Sequence, residues 1–188
     1  AATDGVGVDG VLTLGIQLRL EEGWETYWRS PGDSGFPPQF DWSGATNLGE
    51  PSIAWPAPRR FTILGMNTFG YIADLVLPVT ATVPDPSQSV NVRLSVVYAV
   101  CRDVCFLMEQ DFALDIPQGP GTEDAAMAAL IEQYQAAVPI PSGPNLAVER
   151  VSVTGGATPW IEILARATDP FQVPDVIIES PPGFVFQA

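Results

Sequence analysis

Two alternating apolar runs, each with a cysteine at its inner end, constrain the fold of this chain more than any other feature. The first runs from Val90 to Val100 and stops at Cys101; the second starts at Phe106, just after Cys105, and ends at Ile116. Only Arg102, Asp103 and Val104 separate the sulfurs, and the chain has no other cysteine. Period-2 alternation marks a half-buried strand, and two such runs joined by a short turn read as an antiparallel hairpin. Directly opposed residues in such a pair hold their Cβ atoms about 4.5–5.5 Å apart, close to the roughly 3.5–4.5 Å of a disulfide. An S–S bond can therefore form and break here with little backbone motion. Closing so short a loop removes little entropy from the unfolded chain, so the bond points to redox chemistry more than to stability. A plain structural staple is the rival reading. Either way, a disulfide-capable pair in a β-rich chain fits an oxidising compartment.

The remaining residue types narrow the chemistry. All 8 basic residues are arginine, against 22 acidic ones, giving a net charge of −14. Phosphate-backbone binding draws on clustered Lys and Arg, so nucleic acid is not an expected partner. Histidine is absent, which removes the commonest general base and a frequent metal ligand. Ser-His-Asp and Cys-His sites cannot be built, a histidine-based zinc or copper site is excluded, no metal is assigned, and the expected redox group is the cysteine pair itself. No apolar stretch approaches the roughly 20 residues of a membrane-spanning helix. Ala1-Ala2-Thr3-Asp4 carries no secretory signal and fits either the start left by removal of one or an arbitrary cut in a longer sequence.

Along the chain, short apolar runs alternate with Gly/Pro punctuation. Val11–Leu20 is a strand, and Trp24–Trp28 is its continuation or partner. Ser30–Pro38 reads as a turn-rich loop, with Asp33 and Ser34 holding it through side-chain to backbone hydrogen bonds. Short strands follow at 39–42 and 53–55, then an irregular segment from Phe61 to Gly70. The strand within 71–83 contains Pro78, which predicts an edge position or a bulge. This pattern predicts an all-β, antiparallel β-sandwich over residues 1–117. A linker over 118–144 carries a helix at 122–137, with Thr122 as N-cap and Met127, Leu130, Ile131 and Tyr134 on one face. Residues 145–188 return to strand patterns at LAVERVSVTG, PWIEILARAT and VPDVIIES, predicting a second β domain, small or partial.

Several spaced motifs together resemble a known family. They are Gly23-Trp24-x-x-Tyr27-Trp28-Arg29-x-Pro31-Gly32-Asp33-Ser34-Gly35-x-Pro37-Pro38, then Trp55-Pro56-x-Pro58-x-Arg60, Phe69-Gly70-Tyr71, Leu77-Pro78-Val79, and Cys101-x-x-x-Cys105 before an apolar strand. Their order over roughly residues 10–117 resembles the periplasmic N-terminal region of the DsbD/ScsB thiol:disulfide interchange proteins, most of all the ScsB-like branch. The resemblance implies an immunoglobulin-like sandwich in the periplasm that relays reducing equivalents as a protein-disulfide reductase domain. The electrons would come through a transmembrane domain and a thioredoxin-like domain of the same full-length protein, and pass to periplasmic thioredoxin-fold substrates. It implies that Cys105 makes the mixed disulfide, that Cys101 resolves it, and that a loop caps the pair. Phe61–Gly70 matches that loop, with Leu64, Met66 and Phe69 touching the sulfurs. Two departures stand out: some members have five residues between the cysteines rather than three, and a proline commonly follows the second cysteine where this chain has Phe106-Leu107-Met108.

Other residues can be placed near the pair. Trp24, Tyr27 and Trp28 are core aromatics or pack beneath the hairpin. Tyr98 shares the face of Val96 and Val100, as core or as a flank of the site. Arg102 would favour a thiolate and Asp103 oppose it, unless both are simply a solvated turn. A rival function is Cu(I) binding, since soft thiolate and thioether ligands select that ion and Met66 or Met108 would supply the thioether beside Cys101 and Cys105. Against this, methionines also serve as core filler.

Overall fold

The computed structural model describes residues 1–7, 9–63, 65–141, 143, 145–156 and 159–179. They divide into two units: Ala1–Val138 with Glu179, and Pro139–Ile178. The first is an immunoglobulin-like antiparallel sandwich. Its smaller sheet has the order β1-β7-β4, with β1 at Val11–Leu18, β4 at Ser52–Ile53 and β7 at Leu75–Thr82. Its larger sheet comprises β2 (Glu25–Gly32), β3 (Gln39–Asp41), β5 (Arg59–Ile63), β6 (Met66–Tyr71) and β8 (Val90–Cys101), in the order β3-β8-β2-β6-β5. A further strand, β9 (Cys105–Ile116), pairs with β8 along its whole length.

Alternation explains the core. In β1 it turns Leu12 and Leu14 inward, where they meet Val79 and Val83, Val90 and Val92 of β8, and Ile116 of β9. Fully burying side chains of this size contributes about 1.5–3 kcal/mol each relative to leaving them exposed. Pro78 lies in the central strand β7, not at an edge as its ring suggests. Its carbonyl accepts from Ala54 N–H at 2.8 Å, just past the end of β4. The N–H and C=O of one strand residue point the same way, so the missing donor faces the side where β4 has stopped. The ladder to β1 through Gly15 is spared.

Other segments differ from the pattern reading. Ser30–Gly32 belong to β2, whose register with β6 breaks between Tyr27 and Gly32. Phe61–Gly70 is a β-hairpin rather than an irregular segment, closed by a turn at Gly65 with φ 81°. The helix α1 spans Ala125–Gln135, and its N-cap is Asp124, not Thr122. Glu123 is held in a bridge with Thr3 and Thr122 N–H donates to Asp4, so the backbone stays extended there. The next side-chain oxygen, on Asp124, accepts from Ala126 and Met127 N–H. α1 packs Ile131 against Val76 and Ala2, with Ala128 on that face while Met127 is exposed.

In the second unit, β10 (Leu146–Val153) and β11 (Ile161–Ala167) form a two-stranded antiparallel ribbon. Residues 173–179, expected as a strand, have no regular structure.

Candidate functional site

The site sits at the tip of the β8–β9 hairpin. Cys101 opposes Cys105 in register, the two are joined by a disulfide, and their Cα atoms are 4.1 Å apart. Both sulfurs therefore share one face of the sheet. Their exposure differs: Cys101 is 1% exposed, whereas Cys105 opens β9, a strand exposed from its first residue to Asp115.

β8 reaches this site by changing the face it buries. Val90, Val92, Leu94 and Val96 are buried on one side, then Ala99 and Cys101 on the other, with no register slip against β9. The first set faces the sandwich core. The second packs against Tyr27, with Phe36 and Ile63 completing the cluster.

β2 supplies the polar groups. Glu25 pairs with Cys101, so its side chain stands beside the sulfur, and Tyr27 follows two residues on. The disulfide sulfurs carry no hydrogen, so the Tyr27 hydroxyl donates: it lies 3.0 Å from Cys101 Sγ and 3.7 Å from Cys105 Sγ. Gly35, at φ 129°, makes room for the ring; a Cβ there would come within 2.5 Å of two Tyr27 ring carbons. Asp33 fixes the approach to that glycine by accepting from Asn67 N–H of β6 at 3.0 Å, while its own N–H donates to the Asn67 carbonyl. The Ser34 hydroxyl lies 3.5 Å from that of Thr68. Burial pushes the Glu25 carboxyl above its ordinary value. Burial first, and the Glu25 charge second, push the Tyr27 phenol up, keeping it a proton donor at neutral pH.

The sequence candidates distribute unevenly around this geometry. Tyr27 reaches both sulfurs. Phe106 sits on the reverse face of the hairpin, with its ring 5.9 Å from that of Trp24, and the Arg102 guanidinium lies 5.1 Å above Trp24. Asp103 pairs with Arg102 in an exposed turn. Tyr98 opposes Met108 on that same reverse face, which separates both from the sulfurs. This register removes Met108 as a thioether partner for the cysteines. Trp28 is buried beneath the Arg29 guanidinium. In the β5–β6 hairpin, Ile63 packs against the Cys101 cluster. Met66 lies opposite it and is exposed; Phe69 is buried under Arg60; Leu64 falls outside the described residues. No group of three Cys, Asp or Glu positioned to hold a metal occurs among the described residues.

Sequence reasoning missed Glu25, Phe36 and Ile63. Only the pairing of β2 with β8 identifies Glu25, and nothing local in the sequence fixes that register.

Comparison with known proteins adds three findings. The family model described as thiol:disulfide interchange protein DsbD, N-terminal, matches residues 6–117. Among solved structures, the N-terminal periplasmic domain of ScsB from Proteus mirabilis matches with a TM-score of 0.59 and 22% identity, covering 85% of this chain and 74% of that one. At that identity the likeness concerns the fold. No curated protein sequence matches.

Proposed function

Because this chain belongs to the thiol:disulfide interchange protein DsbD N-terminal family, we propose that it relays reducing equivalents in the periplasm through a reversible Cys101–Cys105 disulfide. The donor is a thioredoxin-like domain fed from a membrane-embedded reductase, and the acceptors are thioredoxin-fold proteins. No helix among the described residues is long and apolar enough to cross a membrane.

The observation that carries this reading is the asymmetry of the two sulfurs. Exchange needs a thiolate to reach one disulfide sulfur in line with the other, and its rate depends on access and on the leaving group. Cys105 is exposed and Cys101 is not. A donor thiolate therefore attacks Cys105 Sγ. The S–S bond breaks, and its electron pair leaves on Cys101 Sγ as a thiolate. The Tyr27 hydroxyl, 3.0 Å away, stabilises that charge. The donor's second thiolate then attacks its own mixed-disulfide sulfur and releases Cys105, so the donor leaves oxidised. Two electrons have moved, and this chain holds a dithiol. Delivery to an acceptor disulfide reverses the order: Cys105 attacks and Cys101 resolves. Glu25 beside Cys101 disfavours the Cys101 thiolate, which suits a relay that waits for a partner.

Trapping tests the reading. Cys101→Ser leaves Cys105 without its resolving thiol. The reduced variant, mixed with an oxidised thioredoxin-fold protein, should accumulate a mixed disulfide through Cys105, and Cys105→Ser should accumulate far less. Failure of thioredoxin-fold dithiols to reduce the native disulfide would overturn the proposal.

A further inference from the structure

We propose that the free edge of β9, starting at Cys105, is the docking rail for the redox partner, which adds an extended, basic segment to the larger sheet. This rests on the exchange reading above and goes beyond it by naming where and how the partner lies.

The backbone carries the first half of the argument. β9 pairs with β8 on one side, and among the described residues no strand covers the other. In an antiparallel ladder, pairs that exchange backbone hydrogen bonds alternate with closer pairs that do not. The 4.1 Å Cα separation of Cys101 and Cys105 marks a close, non-bonded pair. Arg102 N–H donating to the Val104 carbonyl at 3.1 Å places a bonded pair one step further out. The phase follows down the strand: Cys105, Leu107, Glu109 and Asp111 point their N–H and C=O groups away from β8. The Gln110 side-chain amide donating to the Asp111 carbonyl at 3.2 Å fits that direction. A partner sulfur arriving at Cys105 therefore meets outward backbone donors and acceptors that begin at Cys105 itself and are open through Glu109, with the Asp111 carbonyl taken by Gln110. Strand addition to an exposed edge is an established mode of peptide recognition, with the main chain giving affinity and alternate side chains giving specificity.

The side chains say which strand fits. Leu107, Glu109 and Asp111 share the face of Cys105, and neither acid has an ion-pair partner among the described residues. On the other face, Phe106, Met108 and Phe112 are 42–50% exposed. A second copy of this chain is disfavoured, because antiparallel pairing of β9 with β9 about Gln110 would set Glu109 of each copy against Asp111 of the other, and like charges directly opposed are destabilising. Charge on an edge strand is also a guard against self-association. The same carboxylates that reject a second copy attract a strand with basic residues on the sulfur side and apolar ones behind.

Single-cysteine peptides of extended sequence test this, one with Lys at alternate positions and an otherwise identical one with Glu. The oxidised chain is mixed with each reduced peptide, and formation of the mixed disulfide at Cys105 is timed. At low salt the basic peptide should react about tenfold faster or more, an advantage that salt screens. Glu109→Lys with Asp111→Lys should abolish the preference. Leu107→Pro removes one outward N–H while sparing the ladder to β8, and should slow the basic peptide about tenfold as an edge contact is lost; where that variant does not fold, N-methylation of the peptide backbone makes the same cut from the other side. Each peptide rate is read as a ratio to that of dithiothreitol with the same variant, so that any change in the reactivity of the bond itself cancels. Equal rates for both peptides, or indifference to both backbone cuts, would overturn the docking rail. Reduced thioredoxin-fold proteins separate the two levels of inference: if they fail to reduce the wild-type bond, the exchange reading falls; if they reduce it while the peptides show no discrimination, the docking rail alone falls.

Discussion

From Val90 to Val96, β8 buries its even-numbered side chains, with Val90 and Val92 packed among Leu12, Leu14 and Val79 of β1 and β7; from Ala99 to Cys101 it buries its odd-numbered ones against Tyr27, Phe36 and Ile63. One uninterrupted hairpin thus belongs to two small cores on opposite faces. The inner half is a sandwich interior of aliphatic side chains, in which Val79 and Val90 have no exposed surface. The outer half is a shallow cluster where a phenol and a carboxyl stand beside the sulfurs. The division separates two demands on the same strands. Stability comes from the inner half, which needs dense packing. Exchange happens in the outer half, which needs one sulfur sheltered and the other within reach.

Breaking the inner half should give the largest effect and leave the chemistry alone. Leu12 is 1% exposed and packs with Leu14, Val79 and Val90. Leu12→Ala should cost about 2–5 kcal/mol through lost transfer energy and the cavity left behind, measured by chemical denaturation. At temperatures where the variant remains folded, its disulfide should be reduced by a thioredoxin-fold dithiol at the wild-type rate. A parallel loss of both would mean that the two cores are one.

The same division explains what the sequence made legible. The Cys101–Cys105 hairpin and the sandwich class follow from period-2 runs and turn residues, which act over a few neighbouring positions. The change of buried face does not. Val96, Tyr98 and Val100 stay in phase along the chain, so alternation alone assigns Tyr98 to the face of Val96, and it is there. Only the strands that arrive from elsewhere decide that Ala99 and Cys101 are covered and that Val100 is less so. Glu25 was invisible for the same reason: it lies 76 residues from Cys101 in sequence and meets it through strand pairing. A loop over Phe61–Gly70, as the family resemblance implies, would set Met66 and Phe69 against the sulfurs. In the hairpin that forms instead, Ile63 packs against the Cys101 cluster while Met66 is exposed and Phe69 lies under Arg60.

Sharpening the comparison from the outer half reverses the balance of effects. Tyr27→Phe keeps the ring against Gly35 and Ala99 but deletes the hydroxyl that donates to Cys101 Sγ. Hydrogen bonds to charged groups contribute about 1.5–3 kcal/mol, and the Cys101 sulfur is charged only while it is leaving. Exchange should therefore slow by roughly ten- to a hundredfold, while unfolding in the oxidised state shifts by about 1 kcal/mol or less. Stopped-flow reduction alongside denaturant titration reads both numbers. A large stability loss with an unchanged rate would make Tyr27 a packing residue only.

The smallest effect should appear in pH dependence, with opposite signs in the two regions. Near the inner half, Asp85 and Asp115 are held below the ordinary carboxylate range. Asp85 is lowered chiefly by hydrogen bonds from Ser87 and Gln88, and Asp115 by those from Arg93 and Asn91. A carboxyl depressed by folding contributes stability above its unfolded pKa and loses it as pH falls through the folded value, so these two weaken the fold only in acid. Glu25 is raised by burial beside Cys101. In the folded state it binds its proton more tightly than in the unfolded chain, so its contribution is full below the unfolded pKa and disappears as pH rises through the folded one. Glu25→Gln removes that penalty. The variant should gain stability relative to wild type at neutral pH, and the gain should shrink toward zero as pH falls through the ordinary glutamate range. Asp85→Asn should lose stability at neutral pH and converge with wild type in stronger acid. Thermal unfolding from pH 3 to pH 8 separates the two curves. A Glu25→Gln difference that is constant across that range would mean the carboxyl is as well solvated beside the sulfur as in the unfolded chain, and the polar character of the outer core would then rest on Tyr27 alone.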